Sequence, residues 1–253
     1  MAILGILAKS SKPGDRLYTY RLRVREPVIG AFYVTAERHG EYELTLLESR
    51  IKEMISLLQL KASEQTISSA VNSFRVRENK VVSRIHNYAD SGKVEVADNL
   101  YAIFRAQISA YRIILEGLES GRTEARESLE QSLTDAVGID EKLTSTFLSR
   151  YKVQDLIKLF DDHLRAAQHL VTEVEGQVSI SGPYLSADYR KAIEQRLERS
   201  KSLLSDALTK HGNDLDREAY REVNRAVALL KELQIYLTSV NVYPEPRLPA
   251  EFE

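Results

Sequence analysis

The stretch VEVADNLYAIFRAQISAYRIILEGLE, residues 94–119, decides the fold class of this chain. Its apolar residues recur at helical spacing and cover more than one side of the helix. They are Val96, Leu100, Ile103, Phe104, Ile108, Tyr111, Ile114, Leu115 and Leu118. Such a helix needs neighbours on several sides, which predicts the most buried helix of a bundle. We expect Leu100, Phe104, Ile108 and Leu115 to lie in the core.

Amphipathic patterns on both sides of this stretch predict further long helices. They cover residues 44–58, 67–88, 123–136, 140–174, 187–210 and 214–240. Ser63 and Ser186 stand where an N-cap is expected, and Gly92 follows the second helix as a stop signal. The predicted fold class is therefore mainly α, a bundle of five to seven long helices with a small N-terminal antiparallel β-sheet.

The sheet is predicted from a change of period near the N terminus. In LYTYRLRVRE, residues 17–26, tyrosine, leucine and valine alternate with threonine and arginine, which is the period of a half-buried strand. Pro27 marks either a turn or a bulge in one bent strand. Residues 28–35 are apolar on both faces, and the run MAILGILA at residues 1–8 resembles a covered strand. Two or three strands are expected.

Three regions follow from these patterns. They are a β segment at residues 1–40 packed on the bundle or paired across it, a helical bundle at 41–240, and a proline-rich tail at 241–253. A sub-boundary is predicted at 176–186, where two glycines and a proline interrupt the helical period.

Composition limits the compartment and the chemistry of the protein. Of 253 residues, 43% are hydrophobic and 28% charged, as in a soluble globular protein, and no apolar run is long enough for a membrane span. The chain has 0 cysteines, which excludes disulfides, a thiolate nucleophile and cysteine metal sites. We therefore expect a cytoplasmic protein.

Known catalytic and ligand motifs do not occur in the sequence. The segment DSGKVEV has the Gly-Lys pair of a phosphate-binding loop, but Val94 stands where Ser or Thr must bind magnesium. No serine sits in GxSxG, and no ExxH pair offers a bundle metal site. Asp162, His169 and Glu173 share a helical face with an arginine, which indicates solvated surface. We therefore expect no cofactor and name no catalytic residue or metal ligand.

Charge is distributed unevenly along the chain. Residues 1–40 hold seven basic and three acidic residues, a net charge of +4, whereas the whole chain has −2 and the remainder therefore −6. Three arginines on one strand face, about 6.6–7 Å apart, suit a row of carboxylates or of phosphates. A helical stripe adds three more cations. The predicted partner-binding residues are Arg21, Arg23, Arg25, Arg77, Lys80 and Arg84.

The apolar segment after Pro27 predicts self-association. A strand that is apolar on both faces is unsuited to a monomer surface, and an unpaired edge seeks a partner strand. We expect a homodimer formed through Val28, Phe32 and Val34. The competing interpretation is that a helix, or the tail with Tyr243 and Phe252 as anchors, covers this segment within one chain.

Together these features favour a non-enzymatic interaction, scaffold or regulatory protein. It would join partners through helix faces and the basic sheet, and the expected partner is another protein with an acidic surface. The first alternative is a nucleic-acid-associated regulator, against which the acidic body and a pI near 6.3 argue. The second is a helical-bundle enzyme whose site is assembled from dispersed residues.

Overall fold

A computed structural model describes residues 18–33, 35–118, 131, 153–240, 242–243, 245–246 and 248. Seven helices and no strand occur in these residues, so the predicted mainly helical fold class is confirmed. Helix α1 consists of an α-helical turn, Tyr18–Tyr20, a π-helical turn, Arg21–Arg25, and an α-helical stretch, Glu26–Gly30. The other helices are α2 (Ala36–Gln59), α3 (Glu64–Asp90), α4 (Val94–Gly117), α5 (Val153–Ser181), α6 (Ala187–His211) and α7 (Asp216–Ser239).

Helix ends lie where capping residues predict them. The Ser63 and Ser186 hydroxyls each accept the backbone N–H three residues on, at 3.3 Å, as N-caps of α3 and α6. Thr35 caps α2 in the same way. Gly92, with a φ of +82°, follows the end of α3 in the left-handed conformation that glycine adopts without strain.

The prediction that α4 supplies core residues is confirmed. Leu100, Phe104, Ile108 and Leu115 are all buried. Gly40 of α2 lies so close to Leu100 that a Cβ there would overlap the leucine Cδ1 and lie 2.8 Å from Cδ2. The absence of a side chain at Gly40 is therefore what lets these two helices approach.

The chain divides into two compact units. The first contains α1, α2, α3 and the start of α4 up to Leu100. Helices α2 and α3 form an antiparallel hairpin, because Tyr88 near the end of α3 donates its hydroxyl to the Ala36 carbonyl at the start of α2, at 2.9 Å. α1 packs on this hairpin.

The second unit contains α4 from Tyr101 together with α5, α6 and α7. Helices α6 and α7 pair through a short connection at residues 212–215, and α5 packs against both. The core cluster of these three helices consists of Phe160, Leu164, Ala167, Leu203, Leu204, Ala207, Ala219, Val223 and Ala226. These three helices therefore pack as in an ordinary helical bundle, with one apolar stripe on each.

The prediction of an N-terminal sheet is wrong for the part of residues 1–40 that the structure describes. Residues 18–30 are helical, and residues 35–40, which the sequence placed in the β segment, begin with the cap of α2. The strand predicted at residues 1–8 and the helix predicted at 123–136 lie outside the described residues, apart from residue 131. Arginine, leucine and glutamate are good helix formers, so the alternation in residues 17–26 does not oppose a helix.

The predicted sub-boundary at residues 176–186 contains less irregular structure than the sequence indicates. Helix α5 continues through Gly176 to Ser181, and a 3-10 turn, Gly182–Tyr184, leads to α6. The tail begins beyond α7, where Tyr243 is buried and Glu245 accepts the Ser186 N–H at 2.8 Å. This part of the tail thus lies at the N-terminus of α6.

Candidate functional site

A buried network of charged side chains attaches α1 to the α2–α3 hairpin. It consists of Arg21 and Glu26 from α1, Glu43, Arg50 and Glu53 from α2, and Arg77 from α3. Three guanidinium groups face three carboxylates, so the ionised network carries no net charge. Groups that are costly to bury alone are here matched with partners.

Glu26 is the centre of the network. Its Oε1 lies 3.3 Å from Arg21 Nε and accepts a bond from Arg50 Nη2. Its Oε2 accepts from Arg77 Nη2 at 2.9 Å, and Arg77 Nη1 in turn donates to Glu43. One carboxylate of α1 thus binds arginines from all three helices of this part of the unit.

Glu53 forms the second centre. Arg50 Nη1 donates to its two oxygens at 2.6 and 2.8 Å, and Arg21 Nη1 lies 2.6 Å from Oε1. The Tyr18 hydroxyl donates to Oε2 at 3.1 Å. Arg21 Nη2 also donates to the Ser49 hydroxyl at 2.8 Å. Two side chains of α1 are therefore fixed on α2 by directed polar bonds.

Burial and neighbouring carboxylates together set the pKa values of Arg50 and Tyr18. Burial alone would lower the pKa of Arg50, but the carboxylates of Glu53 and Glu26 outweigh that effect and raise it. The pKa of Tyr18 is raised, first by burial and then by the charge of Glu53. Arg50 therefore stays charged and Tyr18 stays a hydrogen-bond donor.

A π-helical turn brings the two charged residues of α1 onto one face. Five residues make about 1.4 turns of α-helix, which would point Arg21 and Glu26 to different sides. In the π turn the Glu26 N–H donates to the Arg21 carbonyl five residues earlier, which returns both to the hairpin side. Pro27 favours the wider turn, because it has no N–H and its ring crowds the carbonyl of Arg23 in an α-helix.

The outer face of α1 is apolar. Val24 and Val28 of α1, and Phe32 in the turn just beyond its end, are 43%, 54% and 78% exposed. A surface helix ordinarily turns its apolar stripe to the core and its charges to solvent. α1 departs from this arrangement, because Arg21 and Glu26 lie inside beside Tyr18 while these three apolar side chains lie outside. We call Val24, Val28 and Phe32 the outer face of α1.

Of the three predicted self-association residues, the structure describes two. Val28 and Phe32 are exposed members of the outer face, whereas Val34 lies outside the described residues. The face ends at Tyr33, whose ring stacks on Tyr42 at a centroid distance of 4.7 Å. The Tyr42 hydroxyl donates to the Glu26 carbonyl at 3.0 Å, so the C-terminal end of α1 is also fixed to α2.

The six predicted partner-binding residues do not form one surface row. Arg21 and Arg77 belong to the charge network, and Arg84 donates to the Tyr88 hydroxyl at 3.3 Å. Arg23 is exposed beside the outer face and Arg25 is half-buried, while Lys80 is exposed on α3. The arginines that alternate in the sequence therefore separate into inner and outer residues.

A second buried polar cluster lies in the unit formed by α4 to α7. The Tyr236 hydroxyl donates to Glu232 Oε1 at 2.5 Å within α7. Burial raises the pKa of Glu232, although bonds from Tyr236 and Ser109 and the charge of Arg196 oppose the shift. Burial and the neighbouring Glu232 also raise the pKa of Tyr236. Burial thus disfavours the ionised form of Glu232, whereas the bonds from Tyr236 and Ser109 and the charge of Arg196 favour it.

The acidic residues and the histidine that share one face of α5, Asp162, His169 and Glu173, lie at the surface. Asp162 pairs with Arg165 at 2.6 Å, and His169 Nδ1 lies 3.4 Å from Glu173, with all four side chains largely exposed. Within the described ranges, no three His, Asp or Glu side chains converge as metal ligands would.

Sequence reasoning missed the acidic half of the charge network and Arg50. A signal was present, since Glu43, Arg50 and Glu53 recur at intervals of seven and three residues beside the apolar stripe of α2. Charged residues at core spacing are expected to be buried only as pairs. Glu78 gave the same signal in α3, where it is buried and the helix is unbroken.

No helix among the described residues combines the length and apolarity needed to cross a membrane. Comparison with family models, curated proteins and solved structures found no match to this chain.

Proposed function

We propose that this chain is a non-enzymatic interaction protein, of the scaffold or regulatory kind, which binds a protein partner through the outer face of α1. The observation that carries the proposal is the inverted arrangement of this helix. Arg21 and Glu26 hold it on the hairpin, whereas Val24, Val28 and Phe32 are left at the surface. Such a helix loses stability by exposing apolar area unless that area has a partner.

Rigidity supports the same function. α1 is bonded to its unit at Tyr18, at Arg21, at Glu26 and, through Tyr42, at the Glu26 carbonyl. A face that is already fixed before binding loses less side-chain and backbone freedom on association. The outer face therefore suits a groove-binding mode, in which residues four apart serve as anchors.

Charge defines the kind of partner. Arg23 is exposed next to Val24, and Arg25 is half-buried at the same end of the helix. An apolar surface edged by arginines fits a protein surface that is apolar in the middle and acidic at its margin. The partner binds the outer face of α1, and not the basic sheet that the sequence predicts. We also propose a reducing, cytoplasmic compartment, which suits a chain with 0 cysteines.

The nucleic-acid alternative receives less support than the protein partner. Arg21 and Arg77 are engaged with glutamates inside the unit, so they do not extend a row of cations for phosphates. A nucleic-acid partner would be recognised by binding that weakens steeply with salt, roughly in proportion to the number of phosphate contacts.

Photo-crosslinking in cells of the source organism tests the proposal. A photoreactive residue at Phe32 or at Val28 is expected to give discrete protein adducts. The matched control is Val76 of α3, a 59% exposed valine that belongs to no described apolar row. Equal adducts from Val76, or none from either α1 position, would contradict a binding role for the outer face. An acidic partner margin predicts fewer adducts with Arg23→Glu.

A further inference from the structure

The outer face of α1 is a short apolar strip. Val24 lies in the π-helical turn and Val28 in the α-helical stretch that follows, and Phe32 lies in the turn just beyond the last helical residue, Gly30. A second copy of the chain presents the same three side chains, so two copies can bury the strip against each other.

Charges favour one orientation of that pair. Arg23 and Arg25 lie at the N-terminal end of the outer face. Beyond its other end, α2 begins with exposed Glu37 and Glu41, which outweigh Arg38. An antiparallel pair brings the basic end of each copy towards the acidic end of the other, whereas a parallel pair opposes arginine to arginine.

We propose that the partner of the outer face is a second copy, paired antiparallel about a twofold axis near Val28. This rests on the proposed function, because it names the occupant of the same face. The pair is a closed isologous contact, in which Val28 meets Val28 and Val24 meets Phe32. Three large apolar side chains per copy make a contact below the ~1,200 Å² of stable complexes, so the dimer is expected to form at micromolar concentration.

The chain is well suited to a cysteine test, because its native sequence has 0 cysteines. Helix axes 8–10 Å apart, less two radii of about 2.3 Å, leave roughly 3.4–5.4 Å between the Cα atoms of facing residues. The upper part of this range is within that of a disulfide. Full-length Val28→Cys is therefore expected to form a linked dimer rapidly under mild oxidation.

Mixed pairs determine the direction of the helices. Full-length Val24→Cys mixed with Phe32→Cys is expected to crosslink between the two variants. Val24→Cys alone should crosslink poorly, because its copies lie beyond about 10 Å in an antiparallel pair. Preferential Val24 self-crosslinking would instead indicate a parallel pair and overturn the proposed geometry. Val76→Cys is the matched control for random collision, and equal rates at Val28 and Val76 would overturn the proposal.

Sedimentation of the unoxidised protein provides the second readout. Phe32→Asp is expected to raise the dimer dissociation constant by more than about tenfold, because it places a charge where a large aromatic anchor would be buried. Val76→Asp should leave it unchanged. Circular dichroism checks that both variants retain the helix content of the parent protein.

The two proposals fail in different ways. A protein that stays monomeric up to high micromolar concentration, yet gives adducts with a different protein from Phe32 in cells, overturns the second-copy inference and leaves the proposed function standing. A monomer without adducts in cells contradicts both. A dimer that Phe32→Asp does not weaken also overturns the inference, because another surface then forms the dimer.

Discussion

Replacing Arg50 with methionine tests whether the charge network holds the first unit together. Arg50 is 1% exposed, and it donates twice to Glu53, at 2.6 and 2.8 Å, and once to Glu26. Methionine keeps an apolar stem of similar length and donates no hydrogen bond. In Arg50→Met, three carboxylates would share two arginines, and a buried negative charge would lack its partner.

The expected cost follows from the burial of this pair. Removing one member of a buried ion pair costs ~3–5 kcal/mol, and we expect about 3 kcal/mol because Arg21 and Arg77 still reach the remaining carboxylates. Arg165→Met is the matched control. Arg165 also pairs with an acidic residue three positions away at 2.6 Å, but its side chain is 74% exposed. An exposed pair contributes ~0–1 kcal/mol, so this control should change stability little.

Native-state hydrogen exchange measures the effect in the correct part of the chain. Amides of α2 and α3 are expected to exchange faster in Arg50→Met, by about two powers of ten, since each 1.4 kcal/mol is tenfold. Helices α6 and α7 belong to the other compact unit and provide an internal reference. A loss below about 1 kcal/mol in α2, no larger than in Arg165→Met, would refute the role assigned to the network.

Three further predictions use matched variants or a change of pH, each followed by urea unfolding. Arg21→Gln should destabilise the first unit by about 2–3 kcal/mol, whereas Arg23→Gln, at an exposed position, should stay within ~0.5 kcal/mol; equal effects would mean that Arg21 is not buried in solution. Gly40→Ala should cost about 1–3 kcal/mol, because its Cβ overlaps a leucine of α4. Gly176→Ala, with nothing within 4 Å, should gain ~0.5–1 kcal/mol, and the same sign for both would contradict the packing at Gly40. Burial raises the pKa of Glu232 above 4.5, so its contribution to stability is full below that value and is lost as pH rises through the folded-state pKa. Glu232→Gln should remove this loss and raise stability near neutral pH; no gain there would mean that the carboxyl is well solvated.

The long helices could be predicted from the sequence because each buries a stripe that its own spacing reveals. The same is true of local signals, such as the Ser63 cap of α3, the stop at Gly92 and the core residues of α4. In these cases the information lies within a few residues along the chain. Packing in the structure then follows the pattern that the sequence displays.

Helix α1 could not be predicted in this way, because what fixes it is distant in sequence. Glu26 binds Arg50, 24 residues away, and Arg77, 51 residues away. These bonds turn Arg21 inward and Val24 outward, against the alternation that indicated a strand. The π turn adds a second difficulty, since it shifts residues 21 and 26 out of the ordinary helical period. The sequence predicted Val28 and Phe32 as self-association residues of a strand, but their exposure together with Val24 became visible only with the three-dimensional structure.

Thiol labelling of single-cysteine variants measures which side chains of α1 and the turn after it are exposed. Dilute protein is used, so that any dimer dissociates. Rates at Val24→Cys, Val28→Cys and Phe32→Cys are expected to approach those of the same variants unfolded in urea, whereas Tyr18→Cys should react about a hundredfold more slowly. Slow labelling at Val24, matching Tyr18, would place both on one covered face, as in a strand, and would contradict the account.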